Sequence, residues 1–205
     1  MSKKRIFLYI VGAVVLVIGG LAAWMLGPAL LPPKNIEVGV AVGEQAPVEM
    51  DLLDSAGQPA TLAANLGEQG MVLVMVRSAD WCPFCKAQLM RTNDIRDAIS
   101  GKGYTLASLS YDKPEILAEF IQSQGIGYVM LSDPGSKMID ALGLRDPQYE
   151  AGSFAYGVPR ASILVLAPDG TVKAKYVAED YRSRPSNEEV LAMVEGVSGE
   201  AASKP

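Results

Sequence analysis

Apolar residues recur along this chain in three rhythms, and each predicts a different kind of element. From Ile6 to Leu31 they run without a charge for about 26 positions, dominated by Ile, Leu, Val, Ala and Gly. About 20 apolar residues span a bilayer as a helix, so this stretch reads as a transmembrane anchor with Trp24 near its far interface. Shorter apolar runs at 71–76 (MVLVMV), 104–110 (YTLASLS), 128–131 (YVML) and 162–166 (SILVL) read as buried strands, and 171–177 continues the last of them after a turn at Ala167–Gly170. Spacings of three and four mark the helices. Phe84, Ala87, Gln88, Arg91 and Ile95 predict one from Pro83 to about Ser100. A second starts at Asp112, with Pro114 in its first turn and Glu115 completing a capping box, and runs to about Ser123. A short helix covers Lys137–Leu142, and Ser186 with Glu189 caps a last one to about Val197.

Punctuation divides the chain. Residues 1–5 are a basic segment and 6–31 the anchor, or an uncleaved signal. Pro28, Pro32 and Pro33 open a stiff linker over 32–42, residues 43–197 hold one domain, and 198–205 is a small, polar tail expected to be disordered. Lys3, Lys4 and Arg5 precede the apolar stretch against Lys34 alone in the next few positions after it, which places the N-terminus in the cytoplasm and the domain on the exported, periplasmic or extracytoplasmic side. A cleaved signal peptide is the alternative, and it exports the same domain. Formal charge is −5 overall, and without the +3 of Lys3, Lys4 and Arg5 the remainder carries −8, which argues against nucleic acid as a partner.

The chemistry concentrates in Trp81-Cys82-Pro83-Phe84-Cys85, which contains both cysteines of the 205-residue chain at a strand-to-helix seam. Cys82 falls at or next to the helix N-cap, with Pro83 in the first turn. Unpaired N–H groups and the positive end of the helix dipole favour a thiolate there. Cys85 lies one turn on, within disulfide reach, so the exposed sulfur can attack and the buried one resolve. A purely structural disulfide closes too small a loop to stabilise much. Half a zinc site lacks partners, since the chain has no histidine and no third cysteine. No metal and no cofactor is expected.

Strand, Trp-Cys-x-x-Cys and helix together resemble the active site of the thioredoxin-like superfamily, with Cys82-Pro83-Phe84-Cys85 similar to the glutaredoxin-type pair. Gly157-Val158-Pro159-Arg160 ahead of the 162–166 strand is a second match. In such proteins the proline there is cis and faces the redox pair, which implies that role for Pro159. Arg160 falls where the redoxin, peroxiredoxin-like branch (alkyl hydroperoxide reductase/thiol-specific antioxidant) carries an arginine. Gly43–Pro47 resembles the opening of redoxin domains, and the strand and helix over 128–142 resemble an insertion of that branch. The resemblance covers about residues 43–197. It implies an α/β, three-layer sandwich with a central mixed sheet flanked by helices and an inserted strand-helix, preceded by the membrane helix.

Three activities are compatible with these residues. The first is a thiol–disulfide oxidoreductase acting on exported protein or small-molecule thiols. In it Cys82 is the nucleophile and Cys85 resolves; Pro159 and its neighbour Val158 present backbone, Trp81 shelters the pair, and a redox partner regenerates it. The second is a peroxiredoxin-like thiol peroxidase with antioxidant activity. Its Pro-x-x-x-Thr/Ser-x-x-Cys motif is absent in both reading frames: counted from Cys82 the hydroxyl position is Ala79, and counted from Cys85 it is Cys82, with Ser78 at the proline position. In the second frame Cys85 is the attacking residue. The third is a non-enzymatic copper-handling or assembly module, which by resemblance pairs two cysteines with a histidine that this chain does not have. The loop Gly143–Gly157, with Tyr149, Phe154 and Tyr156, is long enough to be functional or to pack over the sheet.

Overall fold

The computed structural model describes residues 3–30 and 34–202. Pro32, Pro33 and the last three residues of the expected tail lie outside them. α1 (Lys3–Leu30) is followed by β1 (Leu52–Leu53), β2 (Pro59–Ala60), β3 (Gly70–Met75), α2 (Pro83–Asn93), α3 (Arg96–Ser100), β4 (Tyr104–Ser110), α4 (Pro114–Gln124), β5 (Val129–Ser132), α5 (Lys137–Ala141), β6 (Ser162–Leu166), β7 (Val172–Val177) and α6 (Asn187–Ala202). The sheet order is β2-β1-β5-β4-β3-β6-β7. β3 pairs parallel with β4 and antiparallel with β6, so the sheet is mixed, as expected.

β3 sits inside the sheet, between β4 and β6, because both of its faces are apolar. Val72, Val74 and Val76 point into one core with Leu89 of α2, Ile99 of α3, Leu117 and Phe120 of α4, and Val190 and Val194 of α6. Met71, Leu73 and Met75 point into the other with Leu62, Met138 and Ile139 of α5, and Leu142. A strand buried on both sides needs an unbroken apolar run, which is why the run and not an alternation is seen. The result is three layers, with the 83–88 turn of α2 emerging at the C-terminal end of the central strand.

Three local expectations are corrected. The helix from Pro83 does not reach Ser100 unbroken: Asp94 and Ile95 donate to the Arg91 and Thr92 carbonyls in tight turns, and the chain restarts as α3, which turns Ile99 fully into the core. Asp112 does not cap α4. Lys113 is the N-cap, without a side-chain bond, and the Asp112 carboxylate turns inward. The last helix continues past Val197 to Ala202. The box at its start does form, Ser186 N–H donating to Glu189 (2.7 Å) and Glu189 N–H to Ser186 Oγ (3.2 Å).

α1 covers the stretch expected to be helical. Over residues 9–24 its side chains are exposed, Leu16 by 77% and Trp24 by 69%. Among the described residues no helix is long and apolar enough to cross a membrane.

Gly70 begins β3 at φ +112, and a Cβ there would collide with the Leu166 carbonyl. Gly125, the left-handed cap of α4 at φ +64, has open space around it. Gly70→Ala is therefore expected to cost about 3 kcal/mol or more in urea unfolding, against about 1 kcal/mol for Gly125→Ala. Equal losses at the two positions would contradict this account of the β3–β6 pairing.

Candidate active site

The redox pair is closed as a disulfide, with Cys82 and Cys85 Cα atoms 5.2 Å apart. Cys82 is the N-cap of α2, Pro83 follows in its first turn, and Cys82 Sγ accepts the Cys85 N–H at 3.3 Å. Both sulfurs are enclosed: Cys82 is 2% exposed and Cys85 not at all. The expectation of an exposed attacking sulfur at Cys82 is thus not met in the oxidised form, because both cysteines belong to the hydrophobic core on that face of the sheet, against which the half-buried Trp81 and Phe84 pack.

The loop from β3 to α2 is held from below by Asp112. Its Oδ1 accepts from Ser78 Oγ (2.8 Å), and its Oδ2 from Ala79 N–H (2.7 Å) and Ser110 Oγ (2.9 Å). Ser78 Oγ in turn accepts from Asp80 N–H (3.0 Å). Three consecutive residues ahead of the pair, Ser78 to Asp80, are thereby tied to the end of β4. Burial pushes the Asp112 carboxyl above its usual range, and the donors from Ala79, Ser78 and Ser110 oppose that rise. Asp80 itself is exposed and borders a groove of about 380 Å³ with Lys86, Ile116 and Phe120, away from the sulfurs.

Aromatic and cationic side chains surround the pair. Trp81 donates its indole N–H to Tyr111 (3.0 Å) and meets the Phe154 ring edge-on at 5.2 Å. Phe84 meets Tyr181 at 6.0 Å. Arg77, 2% exposed, lies over Tyr181 at 3.9 Å, Tyr149 at 4.9 Å and Trp81 at 5.2 Å, and donates to the Tyr149 hydroxyl. Arg184 brings Nη2 to 3.8 Å from Cys85 Sγ. Part of Arg184 is open to solvent but its Nε is enclosed. Loss of hydration, then the charge of Arg77, pushes Arg184 down to about 9.

The 158–160 segment is arranged differently from the expectation. Among the described residues no peptide bond is cis, Pro159 included. The segment runs extended beside 144–146: Pro159 bridges Arg145, Asp146 N–H donates to the Val158 carbonyl (2.9 Å), and Arg160 N–H to the Leu144 carbonyl (2.7 Å). That pairing requires straight backbone on both sides of the proline. Val158 is fully buried, and Arg160 borders a separate recess of about 300 Å³ with Asp146, Gln148, Tyr181 and Arg182.

The sequence profile of the AhpC/TSA family matches residues 42–175, which takes in the sheet as far as the middle of β7, the redox pair and Arg160. The chain belongs to the AhpC/TSA family. Peroxiredoxin Bcp of Escherichia coli strain K12 is 28% identical over 149 residues, 73% of this chain and 92% of that protein. A protein of Mycobacterium tuberculosis described as a peroxiredoxin is 31% identical over 134 residues, 65% of this chain and 83% of its own length. Among solved structures, reduced Prx3 of Vibrio vulnificus in complex with H2O2 superposes with a TM-score of 0.65 at 20% identity, covering 75% of this chain and 99% of that one. BcpB of M. tuberculosis gives 0.64 at 19%, covering 78% and 98%. These likenesses establish a thioredoxin-like fold and a thiol redox enzyme.

Within that family frame, the pattern reading of the site missed Arg77, Asp112, Tyr181 and Arg184. Arg77 read as loop, Asp112 as a cap, and the other two lie about a hundred residues from the pair. The only available signal was that Arg77 directly follows an all-apolar strand, where a charge has to find burial or a partner. Among the described residues no group of three His, Cys, Asp or Glu side chains could hold a metal.

Asp112 allows a test of the loop. Its folded pKa is raised, so the stability tied to its neutral form is complete below the ordinary carboxyl value of 3.8 and is lost as pH rises through the raised value. Asp112→Asn stays neutral but offers one acceptor fewer, at a cost of about 1–3 kcal/mol. Its deficit in urea unfolding is expected to be largest near pH 4 and to narrow toward pH 8. A constant deficit would show that the carboxyl titrates normally.

Proposed function

We propose that this protein is a thiol peroxidase that reduces hydroperoxides, with Cys85 as the attacking thiolate and Cys82 as the resolving thiol. The observation that carries the reading is the Arg184 guanidinium beside Cys85 Sγ, in a chain of the AhpC/TSA family. A cation in a poorly hydrated setting favours the thiolate of the sulfur that it touches. Counting the peroxidatic motif from Cys85 also puts Cys82 at the hydroxyl position, so the resolving sulfur stands where that motif places a polar group next to the peroxide.

Cys85 thiolate attacks one peroxide oxygen, the O–O bond breaks, and the departing alkoxide takes a proton to leave as alcohol or water. Cys85 is then a sulfenic acid. The Cys82 sulfur attacks it, the S–O bond breaks, water leaves and the Cys82–Cys85 disulfide forms, so the two electrons come from the pair. The Cα atoms are already 5.2 Å apart, so resolution needs no unwinding of α2. A dithiol reductant partner returns the pair to the reduced state.

One observation favours disulfide exchange as the second reading. Cys82 Sγ, not Cys85 Sγ, accepts the helix N-terminal N–H, which suits Cys82 as nucleophile toward a disulfide. Stopped-flow tryptophan fluorescence of the reduced full chain against hydrogen peroxide decides between them. Oxidation is expected at least about a hundredfold faster than that of free cysteine, to persist in Cys82→Ser and to be lost in Cys85→Ser. Reaction no faster than free cysteine, with rapid Cys82-dependent exchange against a model disulfide, would replace the peroxidase with an oxidoreductase.

We further propose that the charge-free stretch Ile6–Leu31, whose described residues by themselves fall short of a membrane span, anchors the enzyme in the cell membrane as a single pass, N-terminus cytoplasmic and redox domain on the exported side. The charge-free stretch from Ile6 to Leu31, the basic residues before it and the exposed apolar side chains of residues 9–24 support this. Full-length protein is expected to stay with membranes through an alkaline carbonate wash and to be released by detergent. Recovery in the carbonate supernatant would remove the anchor.

A further inference from the structure

The recess that Arg160 borders holds neither cysteine. Its volume is about 300 Å³, and five charged residues line it: Asp146, Arg160, Glu179, Asp180 and Arg182. Three of these are already neutralised, Glu179 by Lys34 at 2.7 Å and Asp180 and Arg182 by each other at 2.8 Å. Asp146 and Arg160 remain, and no ion pair among the described residues includes either of them. Asp146 is only 4% exposed; its Oδ1 accepts from Gln148 N–H at 3.1 Å, and among the described residues nothing donates to Oδ2. An aspartate enclosed to this degree is normally paired. Arg160 is bonded through its backbone alone, N–H to the Leu144 carbonyl and carbonyl from Ser162 Oγ (3.1 Å), so its guanidinium donors are free.

Backbone pairing fixes where the two charges stand. Asp146 is opposite Val158 and Arg160 opposite Leu144, so they lie diagonally across the bridge, about 7–8 Å apart at the backbone. They share a recess without meeting. A simple anion on Arg160 would be repelled by Asp146, and a simple cation on Asp146 by Arg160. A molecule that carries both charges satisfies both groups at once. Two extended residues of peptide reach about 7 Å from end to end, which matches the separation. Ala161, Ala178 and Tyr181 add apolar wall for its side chains.

We propose that this recess binds a short zwitterionic peptide, its ammonium on Asp146 and its carboxylate on Arg160. The ammonium donates to Asp146 Oδ2, and the carboxylate accepts from the Arg160 guanidinium. Each end supplies the counter-charge that the protein itself does not. Tyr181 stands between this site and the redox pair: it lines the recess, and its ring also meets Phe84 at 6.0 Å and Arg77 at 3.9 Å. Binding here involves neither sulfur, so it holds whichever cysteine attacks and whatever the pair oxidises or reduces.

The test is isothermal titration calorimetry of the oxidised full chain in detergent with L-alanyl-L-alanine, its N-acetyl derivative and its C-terminal amide. The free dipeptide is expected to bind at one site, and either cap to weaken it about tenfold or more, the size of a charge-assisted hydrogen bond. Each variant removes one preference alone. Arg160→Gln makes the dipeptide and its amide bind alike and keeps the penalty for acetylation. Asp146→Asn, which still offers an oxygen to Gln148 N–H, erases the acetylation penalty and keeps that of the amide. Arg160 is half-buried, so its variant carries the comparison if Asp146→Asn does not fold. No saturable heat with the free dipeptide, or caps that leave its affinity unchanged, overturns the site. A variant that weakens all three probes by one common factor overturns the assignment of the two charges. Free L-alanine binding as tightly as the dipeptide overturns the peptide as occupant.

Discussion

The position of the redox pair depends on a carboxylate that never touches it. Asp112, at the end of β4, accepts from Ser78, Ala79 and Ser110 and so welds the β3–α2 loop to the neighbouring strand. Because β3 and β4 are parallel and in register through Met75 and Leu109, the loop leaves the sheet at a fixed height. Pro83 then starts α2 immediately, which puts the Cys82 sulfur on the helix N-terminal N–H of Cys85. The buried carboxyl is held above its usual pKa by the same enclosure that makes its hydrogen bonds strong.

Above that base, the environment of the two sulfurs is asymmetric. Cys82 receives the helix dipole and a backbone N–H; Cys85 receives a guanidinium. Both effects stabilise thiolate, and the cation is the stronger of the two where water is excluded, since charge–charge interaction gains most from a low dielectric. This is the physical ground for assigning the attack on peroxide to Cys85 and resolution to Cys82. It reverses the order that an exposed N-cap cysteine suggests, because in the folded chain neither sulfur is exposed.

Membership of the AhpC/TSA family and the departure from its motif are consistent with each other on this view. The position where the motif carries a hydroxyl carries the second sulfur, so under the proposed peroxidase reading the polar neighbour of the peroxide and the resolving thiol would be one residue, and resolution would take place within a single helical turn. Tyr149 and Phe154 of the 143–157 loop pack against Arg77 and Trp81, beside a pair that is buried and not a surface dithiol.

The architecture was legible in the sequence wherever a pattern is local and repeated. The double-faced apolar run of β3, the 104–110 and 162–166 strands, the Ser186–Glu189 capping box and the Cys82–Cys85 spacing each follow from residues within a few positions of one another. Sequence also carried the redox chemistry and the family, since two cysteines at a strand-to-helix seam have few other uses. What only the tertiary structure decided are the interactions that span long stretches of chain. Asp112 has the local features of a helix cap, and its carboxylate turns inward only because Ser78 and Ala79 arrive beside it from 33 and 34 residues away. Arg184 meets Cys85 from 99 positions on, and Tyr181 covers Arg77 from the same late segment. Pro159 stays trans because Leu144–Asp146 pairs with it. Spacing and periodicity report on neighbours along the chain, whereas the charge and burial around a sulfur are set by whichever segments the sheet order brings to it.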